Sequence, residues 1–134
     1  MAKWFLLGVS LLYLALATYC TFYPAAASEL VGFRLVGGSG QSEFLTIYGG
    51  LELWLALIFA LPLLNPAWQS FSLMSCFLLH ACLVVFRTAG LVLFDAIEAG
   101  TIRLAVGEWL ILILTTLVLV RTKDIRADKQ GKTE

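Results

Sequence analysis

The sequence predicts an all-α integral membrane protein, folded as an antiparallel four-helix bundle, and two observations carry this prediction. The first is composition, because the 134 residues are 60% hydrophobic and only 13% charged. Soluble domains are typically about 45–50% apolar and about 25% charged. The second is that the apolar residues fall into four segments of about the 20 residues that a bilayer-spanning helix needs. Lipid is therefore the expected solvent for most of the chain.

The four predicted spans form one transmembrane domain over residues 1–120, followed by a polar cytoplasmic tail over residues 121–134. Within lipid, only helices and closed barrels satisfy all their backbone groups, and these segments lack the alternating pattern of barrel strands. Asn65-Pro66 is the shortest connection, which predicts an antiparallel hairpin of the second and third helices. The spans cover about residues 4–22, 44–64, 67–86 and 102–120.

Two of the connections raise further questions. The first connection contains Ala25-Ala26-Ala27, which resembles a signal-peptide cleavage site. Because the preceding apolar run is longer than a usual signal sequence and ends in bulky Phe22 and Tyr23, we expect this segment to remain as a helix. The connection over residues 87–101 is expected to extend the third helix or to form a short interfacial piece.

The basic residues predict the orientation. An even number of spans places both termini on one side, and six of the nine basic residues lie on that side. The positive-inside rule then predicts cytoplasmic termini in a multi-pass protein of the bacterial inner membrane. A formal net charge of zero argues against nucleic acid as a partner. The six residues are Lys3, Arg121, Lys123, Arg126, Lys129 and Lys132.

Glu52 is the strongest candidate for a functional residue, because it lies well inside the second apolar segment. An ionisable residue at membrane depth is expensive and marks a functional site by default. Helix geometry places Glu52 about 13 Å, His80 about 10 Å and Glu108 about 8 Å from the outer ends of their helices. The three side chains are therefore expected to converge inside the bundle, with Arg87 between the two carboxylates.

The neighbours of Glu52 add to this candidate site. Tyr48 lies four residues earlier and is expected on the same helix face. Gly49 and Gly50 remove side chains beside that face, which predicts a helix-packing notch or a close approach by a ligand. His80 is either part of the site or an ordinary hydrogen-bonded residue of the bundle.

Structural roles remain open for several of these residues. Arg87 can form a buried salt bridge with Glu98 or Glu108 that only fixes helix register. One histidine and scattered carboxylates do not make the spaced sets of zinc or di-iron sites, so neither a metal nor a cofactor is predicted. The cysteines lack a Cys-x-x-Cys spacing and are interpreted as small apolar residues. They are Cys20, Cys76 and Cys82.

The segment from Glu43 to Leu53, with Gly32-Phe33 before it and Arg87 after it, resembles a bacterial family of small four-span membrane proteins of unknown function. The family pattern pairs an acidic residue with a downstream Tyr-Gly-Gly-x-Glu motif, here Tyr48 to Glu52. The chain departs from it at Trp54, where a small residue is expected, so a bulky ring changes the size of any cavity. A more distant likeness links the chain to DoxX-like proteins. The resemblance implies a fold and a location, but no reaction.

Three functions fit these observations. The first is a non-enzymatic protein that binds a lipid, a quinone-like molecule or a partner helix through a polar site in the outer half of the bundle. The second is a proton-coupled transporter subunit, in which Glu52 exchanges a proton for a small molecule and the chain forms a homo-oligomer with two-sided access. The third is a membrane enzyme on an apolar substrate, with Glu52 or Glu108 as acid or base beside His80.

Overall fold

A computed structural model gives the backbone of residues 1–130 and the side chains of residues 1–122. This part of the chain is 89% helical, which confirms the predicted all-α class. The last four residues of the predicted tail, 131–134, lie outside the described residues. The elements are α1 (Ala2–Phe22), α2 (Pro24–Leu30), α3 (Gly37–Phe44), a π-helical segment (Leu45–Leu51), α4 (Glu52–Leu64), a 3₁₀ turn (Pro66–Trp68), α5 (Gln69–Leu93) and α6 (Ala99–Gln130).

Four helical stretches are long and apolar enough to cross a membrane, and each is longer than the segment expected for it. The second stretch joins α3, the π-helical segment and α4 into one helix from Gly37 to Leu64. The third runs from Pro66 to Leu93, so α5 continues past Arg87 and the connection to α6 is only residues 94–98. Hydropathy alone predicts helices that are shorter than those in the structure, because the end turns of such helices carry glycine and polar residues.

Side-chain contacts establish that neighbouring helices along the chain are antiparallel. The Ser10 hydroxyl of α1 donates to the Ala56 carbonyl of α4 at 2.7 Å. Eleven residues later in the sequence, Thr21 lies against Gly49, which precedes Ala56. Residue numbers thus rise on one helix as they fall on the other. The same pattern joins α5 to α6, where Cys76 meets Thr115 and Arg87 meets Glu108.

This topology gives the bundle two distinct ends. The "terminal end" holds Met1 and the turn at Asn65, whose side-chain oxygen accepts a hydrogen bond from the Ala67 amide at 2.9 Å. The "loop end" holds the connections over residues 23–36 and 94–98. At the loop end, α6 begins against α2, and a side chain on Gly100 would collide with the Leu30 carbonyl.

The main core lies in the half of the bundle toward the terminal end. Leu6, Phe59 and Leu73 are almost completely buried there, with Tyr13 and Cys76 at its border. A smaller cluster of Cys20, Ala27 and Phe44 lies toward the loop end. Large apolar side chains cover much of the outer surface, as lipid contact requires.

Candidate functional site

The helix that carries Glu52 changes geometry immediately before this residue. The seven residues from Leu45 to Leu51 form a π-helical segment, and Glu52 is the first residue of α4. Such segments are rare, and they occur frequently at functional sites because they shift the direction of the side chains around them. No pattern in the sequence predicts this π-helical segment.

Glu52 faces the interior of the bundle rather than lipid. It belongs to the stripe formed by Gly49, Glu52, Ala56 and Phe59, whose spacing of three and four residues is that of one helix face. The other three members of this stripe are buried. Glu52 itself is half-buried.

One carboxyl oxygen of Glu52 has no partner. Its Oε2 atom is fully buried and accepts no hydrogen bond from the residues that the structure describes. The carboxylate interacts electrostatically with Glu108 of α6, and the resulting effect is repulsive. Glu52 is also within electrostatic range of Tyr13 and Cys20 on α1 and of Tyr48 on its own helix.

Arg87 and Glu108 form a salt bridge with two parallel hydrogen bonds. The Nε atom of Arg87 donates to Oε2 of Glu108 at 3.0 Å, and Nη2 donates to Oε1 at 2.7 Å. Their side chains are 29% and 13% exposed, so the pair lies within the bundle wall. The predicted arrangement with Arg87 between two carboxylates is therefore wrong. The planar edge of a guanidinium group can bind both oxygens of a single carboxylate. In this structure that carboxylate is Glu108.

Glu98, the other partner considered for Arg87, is exposed in the connection between α5 and α6. It forms no salt bridge in the part of the chain with described side chains, where Arg87 pairs with Glu108 alone.

His80 belongs to a separate buried network. Its Nδ1 atom lies 2.8 Å from the Cys76 carbonyl, which identifies Nδ1 as the protonated nitrogen. The Nε2 atom is then an acceptor, and the Tyr13 hydroxyl donates to it at 3.2 Å. Cys76 continues the network to Thr115, with 3.4 Å between Sγ and Oγ1. These bonds join α1, α5 and α6, and no carboxylate takes part in them.

The two glycines of the Tyr-Gly-Gly-x-Glu segment have different surroundings. A Cβ atom on Gly49 would lie 2.8 Å from the Thr21 hydroxyl, so Gly49 allows close approach of α1. Gly50 is exposed, and a Cβ atom there would meet nothing within 4 Å. The packing role predicted for Gly50 is therefore wrong for the described helices, because Gly50 lies on the exposed side of its helix while Gly49 faces α1.

Tyr48 lies at the boundary between the polar groups and an apolar cavity. Its ring stacks on Phe44 with 4.5 Å between centroids and meets Phe33 edge-on at 5.9 Å. Electrostatic interactions link its hydroxyl to both Glu52 and Arg87. Tyr48 therefore connects the two charged positions of the site.

The cavity lies at the loop end, between the helices and the two connections, and has a volume of about 500 Å³. Its polar contributors are Tyr48, Arg87 and Thr101, while most of its wall is apolar. Ligand sites are commonly of this size and are lined mainly by apolar side chains with a few polar groups. The apolar lining includes Phe33, Leu83, Phe86, Leu91, Phe94 and Leu104.

Comparison with protein-family models, with curated proteins and with solved structures finds no match to this chain. The likeness to a four-span family with a Tyr-Gly-Gly-x-Glu motif stays a prediction. The functional interpretation therefore depends on the geometry of the site.

Sequence reasoning missed three members of the polar interior. From the sequence alone, Tyr13 is most simply a core or interfacial aromatic and Cys76 a small apolar residue, whereas in the structure both contact His80. Thr115 was not singled out. Two spacings could have indicated Cys76 and Thr115. Cys76 precedes His80 by four positions and Thr115 follows Glu108 by seven, which places each pair on one helix face.

Proposed function

We propose that this chain is a multi-pass protein of the bacterial inner membrane that binds an amphipathic small molecule in the loop-end cavity. The observation that carries the proposal is the composition of the cavity wall, which is apolar except at Tyr48, Arg87 and Thr101. An apolar chain or ring would pack against Leu83, Phe94 and their neighbours. The polar head of the molecule would reach Tyr48 and Arg87.

The charges around Arg87 favour a neutral head group that accepts hydrogen bonds. A guanidinium has five N–H donors, and two of them bind Glu108, which leaves three for a ligand. Glu108 already balances the positive charge of Arg87, so an anionic head group would add an uncompensated charge. A carbonyl oxygen, as in a quinone or a lipid ester, accepts from Arg87 or from the Tyr48 hydroxyl without this penalty.

The closed terminal half of the bundle supports binding over transport. Leu6, Phe59 and Leu73 fill the interior there and are at most 1% exposed. A transporter requires access from both sides, whereas in this conformation these packed side chains close the interior toward the terminal end. The enzyme alternative requires His80 beside a carboxylate, but His80 instead binds Tyr13 and the Cys76 carbonyl.

The proposed orientation places both termini in the cytoplasm and the cavity on the periplasmic side. It is supported by the six basic residues near the termini. A reporter fused after Glu134 should read as cytoplasmic, and one inserted at Gly38 should read as periplasmic. The reverse pattern would turn the cavity toward the cytoplasm and overturn this part of the proposal.

Photoaffinity labelling tests the proposed ligand class. The purified protein in lipid nanodiscs would be labelled with a quinone bearing a photoreactive group, and in parallel with a diacyl phospholipid bearing the same group. We expect the quinone to attach to cavity residues such as Phe86 and Phe94. Saturating labelling by the phospholipid alone would assign the cavity to lipid instead.

Two glycine substitutions provide a matched pair for this experiment. Gly90 lines the cavity, and a Cβ atom there meets only the Phe94 ring at 3.9 Å, so Gly90→Leu should fill the space without breaking the helix. Gly50→Leu makes the same chemical change at an exposed position. Labelling should fall in Gly90→Leu and remain in Gly50→Leu. Equal labelling of both variants, or labels spread over the lipid-facing surface, would contradict the proposal.

A further inference from the structure

The proposed ligand site leaves the buried oxygen of Glu52 unexplained. Glu52 Oε2 is enclosed and has no hydrogen-bond donor within the described part of the chain. A carboxylate without a donor or a counter-ion is very unfavourable at membrane depth. Whatever Glu52 binds must therefore supply a positive charge or remove the negative one.

The charged groups around Glu52 cannot balance a second negative charge. The titratable side chains that interact with it are Tyr13 and Cys20 on α1, Tyr48 on its own helix and Glu108 on α6. None of these four is a cation. The nearby cation, Arg87 of α5, is engaged by both oxygens of Glu108. The site thus holds one arginine for two glutamates.

The helix opposite Glu52 donates no hydrogen bond to its buried oxygen in the described part of the chain. The contacts of Ser10 with Ala56 and of Thr21 with Gly49 fix the register of α1 against this helix. Between these two contacts the buried residues of α1 are Tyr13, Ala17 and Cys20. The Tyr13 hydroxyl is bound to His80, and the Ala17 methyl group supplies neither charge nor hydrogen bond.

We infer that Glu52 is a proton-binding site in the interior of the membrane domain, holding its proton as a neutral carboxylic acid beside the Arg87–Glu108 salt bridge. As an acid, it places no second charge beside Glu108, and its hydroxyl becomes a donor. The bound species at this site is a proton, and the Glu52 carboxylate is the group that binds it.

Tyr48 provides the route by which this proton exchanges with the aqueous phase. It is one helical turn from Glu52, interacts with it electrostatically and lines the loop-end cavity. Toward the other end, the packed side chains of Leu6 and Phe59 close the interior. Exchange is therefore expected through the cavity, and this second part of the inference rests on the proposed function.

Infrared spectroscopy of the ligand-free protein in a detergent without ester groups tests the proton directly. A protonated glutamate has a carboxylic C=O stretch that an ionised one lacks. We expect this band near neutral pH in the parent and in Glu43→Gln, which removes an exposed carboxyl group from the same helix. Glu52→Gln should abolish the band, and Glu52→Asp should retain it at a shifted frequency. Absence of the band from the parent, or its persistence in Glu52→Gln, would overturn the inference.

Transfer to D₂O tests the route. The band should shift as the proton exchanges, and the shift should be slower in Gly90→Leu than in Gly50→Leu. Equal rates in the two variants would overturn the route through the cavity. Neither measurement contains a quinone, so failure of the photolabelling experiment and failure of this inference are distinguishable.

Discussion

The two halves of the bundle satisfy their buried polar groups in different ways. Toward the terminal end, Ser10 and Ser72 are buried, and each donates to a backbone carbonyl of the second span at 2.7 Å. Toward the loop end, the interior holds an arginine, two glutamates and a cavity, and one carboxyl oxygen has no partner. The loop-end half therefore holds an unpaired polar atom and an open space that the packing of a helical bundle does not require, which is why we assign function to that half.

The largest effect should follow loss of the salt bridge. Arg87→Ala leaves Glu108 as a partly buried charge without its partner, and breaking a buried ion pair on one side costs about 3–5 kcal/mol. Because the pair is partly exposed, the lower part of this range is expected. Thermal unfolding in detergent measures the loss of stability.

The control for this experiment removes both partners. The double variant Arg87→Ala, Glu108→Gln should recover part of the stability, because no isolated charge remains. If the double variant loses as much stability as the two single variants lose together, Arg87 and Glu108 do not stabilise each other across α5 and α6.

Gly100→Ala should have the next largest effect, because the added methyl group meets the Leu30 carbonyl of α2. A backbone atom cannot move aside as a flexible side chain can, and overpacking of this kind costs about 1–3 kcal/mol. Gly107→Ala on the same helix is the control, since its Cβ atom would meet nothing within 4 Å. If the two variants unfold at the same temperature, the contact of α6 with α2 does not stabilise the fold.

Glu52→Leu should give a smaller change of opposite sign. Replacing an unpaired buried polar group by an apolar one removes the penalty of leaving it unsatisfied, so the variant should be more stable by about 1 kcal/mol. A clear loss of stability in this variant would show that Glu52 is a structural group with a partner. The same substitution at Glu108 should destabilise the protein, because it leaves Arg87 without its counter-ion.

The smallest effect should come from the terminal half. Ser10→Ala removes the hydrogen bond to the Ala56 carbonyl, and such bonds between membrane helices average about 0.6 kcal/mol. The carbonyl keeps its own place in the helix, so no buried group loses its only partner. A loss of stability as large as that of Arg87→Ala would remove the distinction between the two halves.

The sequence predicted the fold well because lipid imposes simple rules. Four apolar segments near 20 residues suffice to predict a bundle of membrane helices. The inward direction expected for Glu52 also follows from energy alone, since a lipid-facing carboxylate is prohibitive. The location of the site toward one end was therefore accessible before the structure.

The pairing of polar side chains inside the bundle could not be predicted from these rules. Arg87 had two candidate partners, Glu98 and Glu108. The structure places Glu98 in the exposed connection before α6 and Glu108 on α6 beside Arg87. The π-helical segment before Glu52 has no sequence signature, and it contains Tyr48, which lines the cavity. The role of Tyr13 as donor to His80 likewise depends on how closely α1 approaches α5.

Native mass spectrometry after gentle extraction tests most directly whether the loop-end half is a binding site. The parent protein should carry a bound small molecule of defined mass, and Gly50→Leu should carry it equally. Gly90→Leu, in which the cavity beside Arg87 is filled, should lose it. A parent without any bound molecule, or one whose adduct persists in Gly90→Leu, would contradict the assignment of a ligand to this cavity.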